Sequence, residues 1–173
     1  IFNHLSRKDV VAWGALVAAY SLTGHGKLAT EAFKDMHLHG VKPDEVFFTN
    51  VLSACSQGGL LEEGLFYSKS LLQDYGITPN IEQYSCMIDL FGRAGDFKRV
   101  EDILHRLPMK AGLSIWLCLL RACHTHGNVD LAKEAFHNAT QLQPNQPSTY
   151  ILMSNICADS KKKKYNYMSP SIY

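Results

Sequence analysis

The chain has 173 residues, 46% of them hydrophobic and 19% charged, with a formal net charge of +1. This composition supports a sizeable core and is not that of a disordered chain, and the balanced charge excludes a long electrostatic grip on a polyanion without excluding recognition of nucleic acid by other contacts. No run of about 18 apolar residues occurs, so no membrane-spanning helix is expected.

Taken in chain order, residues 1–9 read as the end of a helix and its turn, left over from a preceding unit. A helix follows at 10–23, with Trp13, Leu16, Val17 and Tyr20 at i, i+3, i+4 and i+7, one face of an α-helix. A second is predicted at 26–39, striped by Ala29, Ala32, Phe33 and Met36. The pattern recurs at 45–57 (Phe48, Val51, Leu52, Cys55) and 60–74 (Gly64, Tyr67, Ser68, Leu71). It recurs again at 81–93 (Tyr84, Met87, Ile88, Phe91) and 96–107 (Val100, Ile103, Leu104, Leu107). A fourth pair is predicted at 114–126 (Trp116, Leu119, Leu120, Cys123) and 128–142 (Ala132, Ala135, Phe136, Ala139). A fifth first helix opens with Tyr150, Met153 and Cys157. Small residues lead three of the four second-helix stripes, which lets paired helices approach closely. From Lys161 onward "KKKKYNYMSPSIY" keeps no period and reads as a solvated or disordered tail.

The recurrence has a fixed period. Trp13, Phe48, Tyr84, Trp116 and Tyr150 are spaced by 35, 36, 32 and 34 residues, and the turn glycines Gly24, Gly59, Gly95 and Gly127 by 35, 36 and 32. Pro43, Pro79 and Pro144 follow the second helices, where proline cannot extend a helix. No strand pattern competes. A single hairpin cannot bury its own stripe, whereas stacked neighbours make a continuous core, so the expected fold is all-α: an α-solenoid of about four full helix-turn-helix repeats and a partial fifth. The five cysteines are an odd number and favour reduced thiols in an intracellular compartment.

Tetratricopeptide repeats share a 34-residue period but carry a Gly where Val17, Leu52, Ile88 and Leu120 stand here. The lengths and patterns instead resemble the plant pentatricopeptide repeat family, in its subclass of alternating repeat lengths. Residues 10–44, closing on "GVKPD", resemble the standard unit; 45–80, closing on "GITPN", the long unit; and 81–112 the short unit. Residues 113–146 are similar to the first E-type unit and 147–160 to a truncated second one, with 161–173 a divergent tail.

The resemblance implies a non-enzymatic module that binds single-stranded organelle RNA at about one base per repeat. Two slots would read the base: the residue after the first-helix aromatic and the residue closing the unit. A third, two residues before the aromatic, would wedge against bases. On this chain these are Gly14 and Asp44 with Val11; Thr49 and Asn80 with Val46; and Ser85 and Gly112, with Glu82 in place of a wedge. Thr with Asn implies adenine. Gly14 has no side chain to read with, and an acid at Glu82 would repel phosphate. Leu117 and Ser114 suit packing. The same residues have structural uses available: Asp44 as a helix N-cap, Asn80 and Thr49 at a helix start or turn.

The implied role is RNA-processing site recognition in a mitochondrion or chloroplast, foremost C-to-U editing, with a deaminase-bearing or other editing-factor protein as partner. Splicing, cleavage or stability of organelle transcripts and a protein-interaction scaffold are the alternatives. No targeting segment is visible in this chain. Neither cofactor nor metal is expected. A zinc deaminase needs His-x-Glu with Cys-x-x-Cys, and "CHTHG" at Cys123–Gly127 supplies neither. "GHGK" at Gly24–Lys27 lacks P-loop spacing, and "NAT" at Asn138–Thr140 falls inside a predicted helix.

Overall fold

A computed structural model describes residues 8–168, with side chains as far as Lys161. Most of the leading segment expected at 1–9 and the last five residues of the tail lie outside the described residues.

Among the described residues the chain is helical throughout, without a strand. The helices are α1 (Val10–Leu22), α2 (Gly26–Leu38), α3 (Glu45–Gly58), α4 (Leu61–Gln73), α5 (Ile81–Arg93), α6 (Phe97–Arg106), α7 (Leu113–His126), α8 (Val129–Leu142) and α9 (Pro147–Met168). The first eight fall within a residue or so of their predicted bounds. The ninth runs on through the lysines that were expected to open a tail. The chain divides into two compact units, one ending at Ala94 and the other beginning at Gly95.

In the first unit α1 packs on α3 and α3 on α5, a row of first helices, while α2 and α4 close the hairpins. The predicted stripe is the core: Trp13, Val17, Phe48, Val51, Leu52, Cys55, Met87 and Ile88 are buried, as are Ala29, Met36, Tyr67 and Leu71 of the second helices. Phe33 of α2 stands at the centre of an aromatic cluster, with ring centroids 4.7 Å from Tyr67, 5.6 Å from Phe47 and 6.0 Å from Phe48. Such offset and edge-on pairs contribute about 0.5–1.5 kcal/mol each beyond their burial.

The small residues of the second helices do what their size permits. At Gly26 an added Cβ would lie 2.8 Å from the Ala54 carbonyl oxygen, and at Gly64 it would lie 2.1 Å from Leu90 Cδ2. The backbones of α2 and α3 therefore meet where a side chain would keep them apart, and the Leu90 side chain of α5 lies directly against the α4 backbone at Gly64.

The first helices bury more than one stripe. Phe47 and Ala54 in α3, and Leu90 in α5, are as deeply buried as the predicted residues. A helix inside a stack touches a neighbour on each flank as well as its hairpin partner, so its apolar arc is wider than that of a helix lying on a surface.

In the second unit α7, α8 and α9 pack on one another, with Trp116, Leu119, Leu120 and Cys123 buried and Ala132, Ala135 and Ala139 fully inaccessible. The buried face of α9 is Thr149 and Ile156, offset by one residue from the expected Tyr150, Met153 and Cys157. Tyr150 is 48% exposed. Thr149 occupies the position held by Phe47 in α3 and Ile115 in α7, both of which are buried. His124 Nε2 pairs with Asp159 at 3.0 Å and ties α7 to α9. Phe97 at the start of α6 meets the His126 ring edge-on at 5.7 Å. The turn glycines Gly59 and Gly127 take left-handed C-cap conformations, φ 64° and 71°, which spares a side chain the clash it would suffer there.

Candidate nucleic-acid interface

Each residue that closes a repeat is also the N-cap of the next first helix. Asp44 Oδ1 accepts the Phe47 backbone N–H at 2.8 Å. Asn80 Oδ1 accepts the Gln83 N–H at 3.0 Å while Gln83 Oε1 accepts the Asn80 N–H at 3.0 Å, a complete capping box. Gly112 caps α7 with backbone alone. The structural uses foreseen for Asp44 and Asn80 are thus realised, and each has one oxygen committed to the helix.

The residues one turn further on behave alike. Thr49 Oγ1 donates to the Glu45 carbonyl at 3.0 Å, and Ser85 Oγ donates to the Ile81 carbonyl at 2.7 Å. A hydroxyl whose proton is so engaged has only lone pairs left to offer. Asn80, its oxygen engaged, has N–H donors to offer. Gly14 faces open space, with nothing within 4 Å of an added Cβ; its carbonyl accepts Asn50 Nδ2 at 3.2 Å, joining α1 to α3. Val11 and Val46 are 73% and 65% exposed, as surface wedges must be. Glu82 is exposed in the same place on α5, Ser114 is exposed, and Leu117 is partly buried.

Thr49 near the start and Asn80 at the end of the same repeat meet at one residue, Glu45. Its carbonyl takes the Thr49 hydroxyl and also Gln83 Nε2 at 3.0 Å, and its carboxylate takes Asn80 Nδ2. Sequence reading missed Glu45 and Gln83. For Gln83 the signal was present, since Asn-x-x-Gln before an apolar run marks a capping box. For Glu45 it was the period itself: residue 45 lies 35 before residue 80, one repeat away. Asp44, Glu45 and Glu82 make the starts of α3 and α5 acidic, and all three are exposed.

This chain matches known families in the same places. Residues 6–58 match the pentatricopeptide repeat domain, and residues 84–110 match the PPR repeat. Over these two stretches the chain is built of pentatricopeptide repeats. A pentatricopeptide repeat-containing protein of Arabidopsis thaliana is 40% identical over 158 residues, which cover 91% of this chain and 26% of that protein. A second from the same plant, named as chloroplastic, is 36% identical over 92% of this chain and 22% of its own length. A third, named as mitochondrial, is 37% identical over 95% of this chain and 26% of its own length. The chain thus spans about a quarter of the length of these relatives. Among solved structures, the maize pentatricopeptide repeat protein PPR10 superposes with a TM-score of 0.67 at 18% identity, covering 95% of this chain and 25% of that one. PPR10 in complex with an 18-nt psaJ RNA element gives 0.71 at 21% identity, covering 87% and 23%. At these identities the likeness is one of fold.

Two other features of these pentatricopeptide repeats bear on chemistry. The "CHTHG" side chains do not converge: Cys123 is buried, His124 turns to Asp159 and His126 to Phe97. Among the described residues no three His, Cys, Asp or Glu side chains gather as a metal site would require. Burial raises the Cys55 and Cys123 thiols to about 12 and Cys86 to about 11, with Glu63 adding to the effect at Cys55 and Asp89 at Cys86. These thiols are protonated and unreactive near neutral pH. Separately, an open groove of about 830 Å³ runs between α2 and α4, floored by Phe33, Phe66 and Tyr67 and edged by Lys34, Glu62 and Glu63.

Proposed function

We propose that this chain binds single-stranded RNA along the starts of its first helices, with Thr49 and Asn80 as its principal base-reading pair and Val46 as the wedge beside it. The reading rests on one observation: two side chains from the opposite ends of one repeat come to the same residue, and one has lone pairs to present while the other has an N–H. Adenine offers the matching pair on its Watson–Crick edge, an amino donor beside a ring-nitrogen acceptor. Gly14 with Asp44 forms a half-equipped pair with Val11 as its wedge, and Ser85 with Gly112 a poorer one. The resemblance to standard, long and short repeats followed by E-type units supports a role in an organelle factor that selects C-to-U editing sites, with the deaminase coming from a partner protein. The names of the chloroplastic and mitochondrial relatives support an organelle address.

The test is a titration of matched RNAs differing at one base. The wild-type chain is expected to prefer adenine to uracil in the Thr49–Asn80 register, and Thr49→Asn with Asn80→Asp to shift that preference towards uracil. An unchanged ratio, with both proteins binding, would remove base reading by this pair. The apolar groove between α2 and α4 favours a second reading, a protein-interaction scaffold, which would then take first place.

A further inference from the structure

Glu45 stands at neither reading slot, yet it holds both readers. Its carbonyl orients the Thr49 hydroxyl, and its carboxylate occupies one N–H of the Asn80 amide, whose oxygen caps α5. A carboxylate is a stronger acceptor than a ring nitrogen or carbonyl of a base, because the bond is charge-assisted. A base that takes its hydrogen bond from that N–H must first break the Glu45 contact. It must also approach a negative charge that lies one residue from Asp44.

We propose that Glu45 is a specificity-determining residue of the RNA interface: its carboxylate competes with the base for the Asn80 amide and so sets both the affinity and the base preference of the Thr49–Asn80 pair. This rests on the RNA-binding reading above. The carboxylate has a second effect in the same direction. By holding the Asn80 amide in one orientation, with Oδ1 on Gln83 N–H and Nδ2 outward, it prevents the amide from rotating to present its oxygen. The pair is therefore pre-set to meet an acceptor with nitrogen, at the cost of a bond to be displaced.

Five chains separate these effects: the wild type, Glu45→Ala, Glu45→Gln, Asn80→Ser and the double variant Glu45→Ala with Asn80→Ser. Glu45→Gln keeps an acceptor without the charge, and Asn80→Ser keeps a capping oxygen without the amide. Each is titrated at fixed salt against four RNAs differing only in the base at the Thr49–Asn80 register. Asn80 side-chain amide resonances are followed in the RNA-free proteins that retain Asn80. Glu45→Ala is expected to tighten binding by about threefold to tenfold, the worth of one hydrogen bond no longer displaced. The gain should differ between bases, and Glu45→Gln should give a smaller one. The Asn80 amide resonances should move in both Glu45 variants. In the Asn80→Ser background, Glu45→Ala should leave the base ratios unchanged. Equal tightening for all four RNAs would show only relief of phosphate repulsion and would overturn the proposal. Unchanged affinities and ratios in Glu45→Ala, with Asn80→Ser altering the ratios, would overturn it while leaving the reading pair intact. If Asn80→Ser keeps the wild-type ratios, or no RNA binds, the reading pair fails and the proposal falls with it. Should Glu45→Ala fold poorly, Glu45→Gln decides: wild-type ratios and unmoved Asn80 resonances in that variant overturn the proposal.

Discussion

Gly14 and Gly26 are the same residue under opposite demands. Gly14 sits inside α1 with open space around its missing side chain, whereas at Gly26 an added Cβ would meet the Ala54 carbonyl oxygen. Gly14→Ala should therefore stabilise the chain by about 0.5–1 kcal/mol, the entropic cost of glycine within a helix being removed. Gly26→Ala should destabilise it by about 1–3 kcal/mol, because backbone must move to admit the methyl group. Urea denaturation of the two single mutants beside the wild type checks both signs at once; equal shifts in one direction would contradict the geometry. The family resemblance marks Gly14 as a proposed reading slot without a side chain. The constraint on Gly26 was not legible in the sequence, because it depends on where α3 lies.

The first helices owe their starts to side chains that also sit at the reading slots. Asp44→Ala removes the acceptor for the Phe47 N–H and should cost about 1 kcal/mol, while Asp44→Asn, which can still cap, should cost little. Chemical denaturation measures the difference, and faster hydrogen exchange at the Phe47 amide should accompany only the alanine variant. If Asp44 and Asn80 read bases as proposed, a substitution chosen to change recognition there has to keep a capping oxygen. Helix bounds were readable because the 3.6-residue stripe, the caps and the closing glycines agree in each repeat. The second buried flank of α3, Phe47 and Ala54, was not readable, since a single stripe describes a helix with one neighbour. The one-residue offset in α9 has the same origin: Thr149 is buried, while Tyr150 lies open.

At the scale of the whole chain, acid-base behaviour is set by buried neutral groups. Cys55, Cys86 and Cys123 have folded-state pKa values raised to about 12, 11 and 12 from 9.0, chiefly by burial, and Tyr67 is raised as well for the same reason. Unfolding lets these groups ionise at their ordinary values, so the unfolded chain loses protons first as pH rises. The stability they confer is complete below about pH 9 and is lost progressively between pH 9 and 12. Urea midpoints should accordingly hold steady up to pH 9 and fall above it. Replacing Cys123 by Ala should flatten part of that fall, and a midpoint that rose with alkaline pH would contradict the burial. The net charge of +1 adds an expectation for RNA: few counterions are released, so affinity should depend only shallowly on salt.

The sequence by itself determined the helical class, the period and the hairpin bounds, because each follows from local spacing that repeats four times; the proposed reading positions follow from the resemblance to the family. That resemblance also marks Gly14 as leaving one pair half-equipped and Glu82 as departing from the wedge pattern. Only the tertiary structure decided which hydrogen-bonding group each reader has left to offer. The cap on α5 takes the oxygen of Asn80, the backbone of α3 takes the proton of Thr49, and the carboxylate of Glu45 takes one N–H of the Asn80 amide. Those are contacts across one repeat length, made by stacking α3 on α5, and no local pattern specifies which partner a polar side chain finds once two helices are brought together.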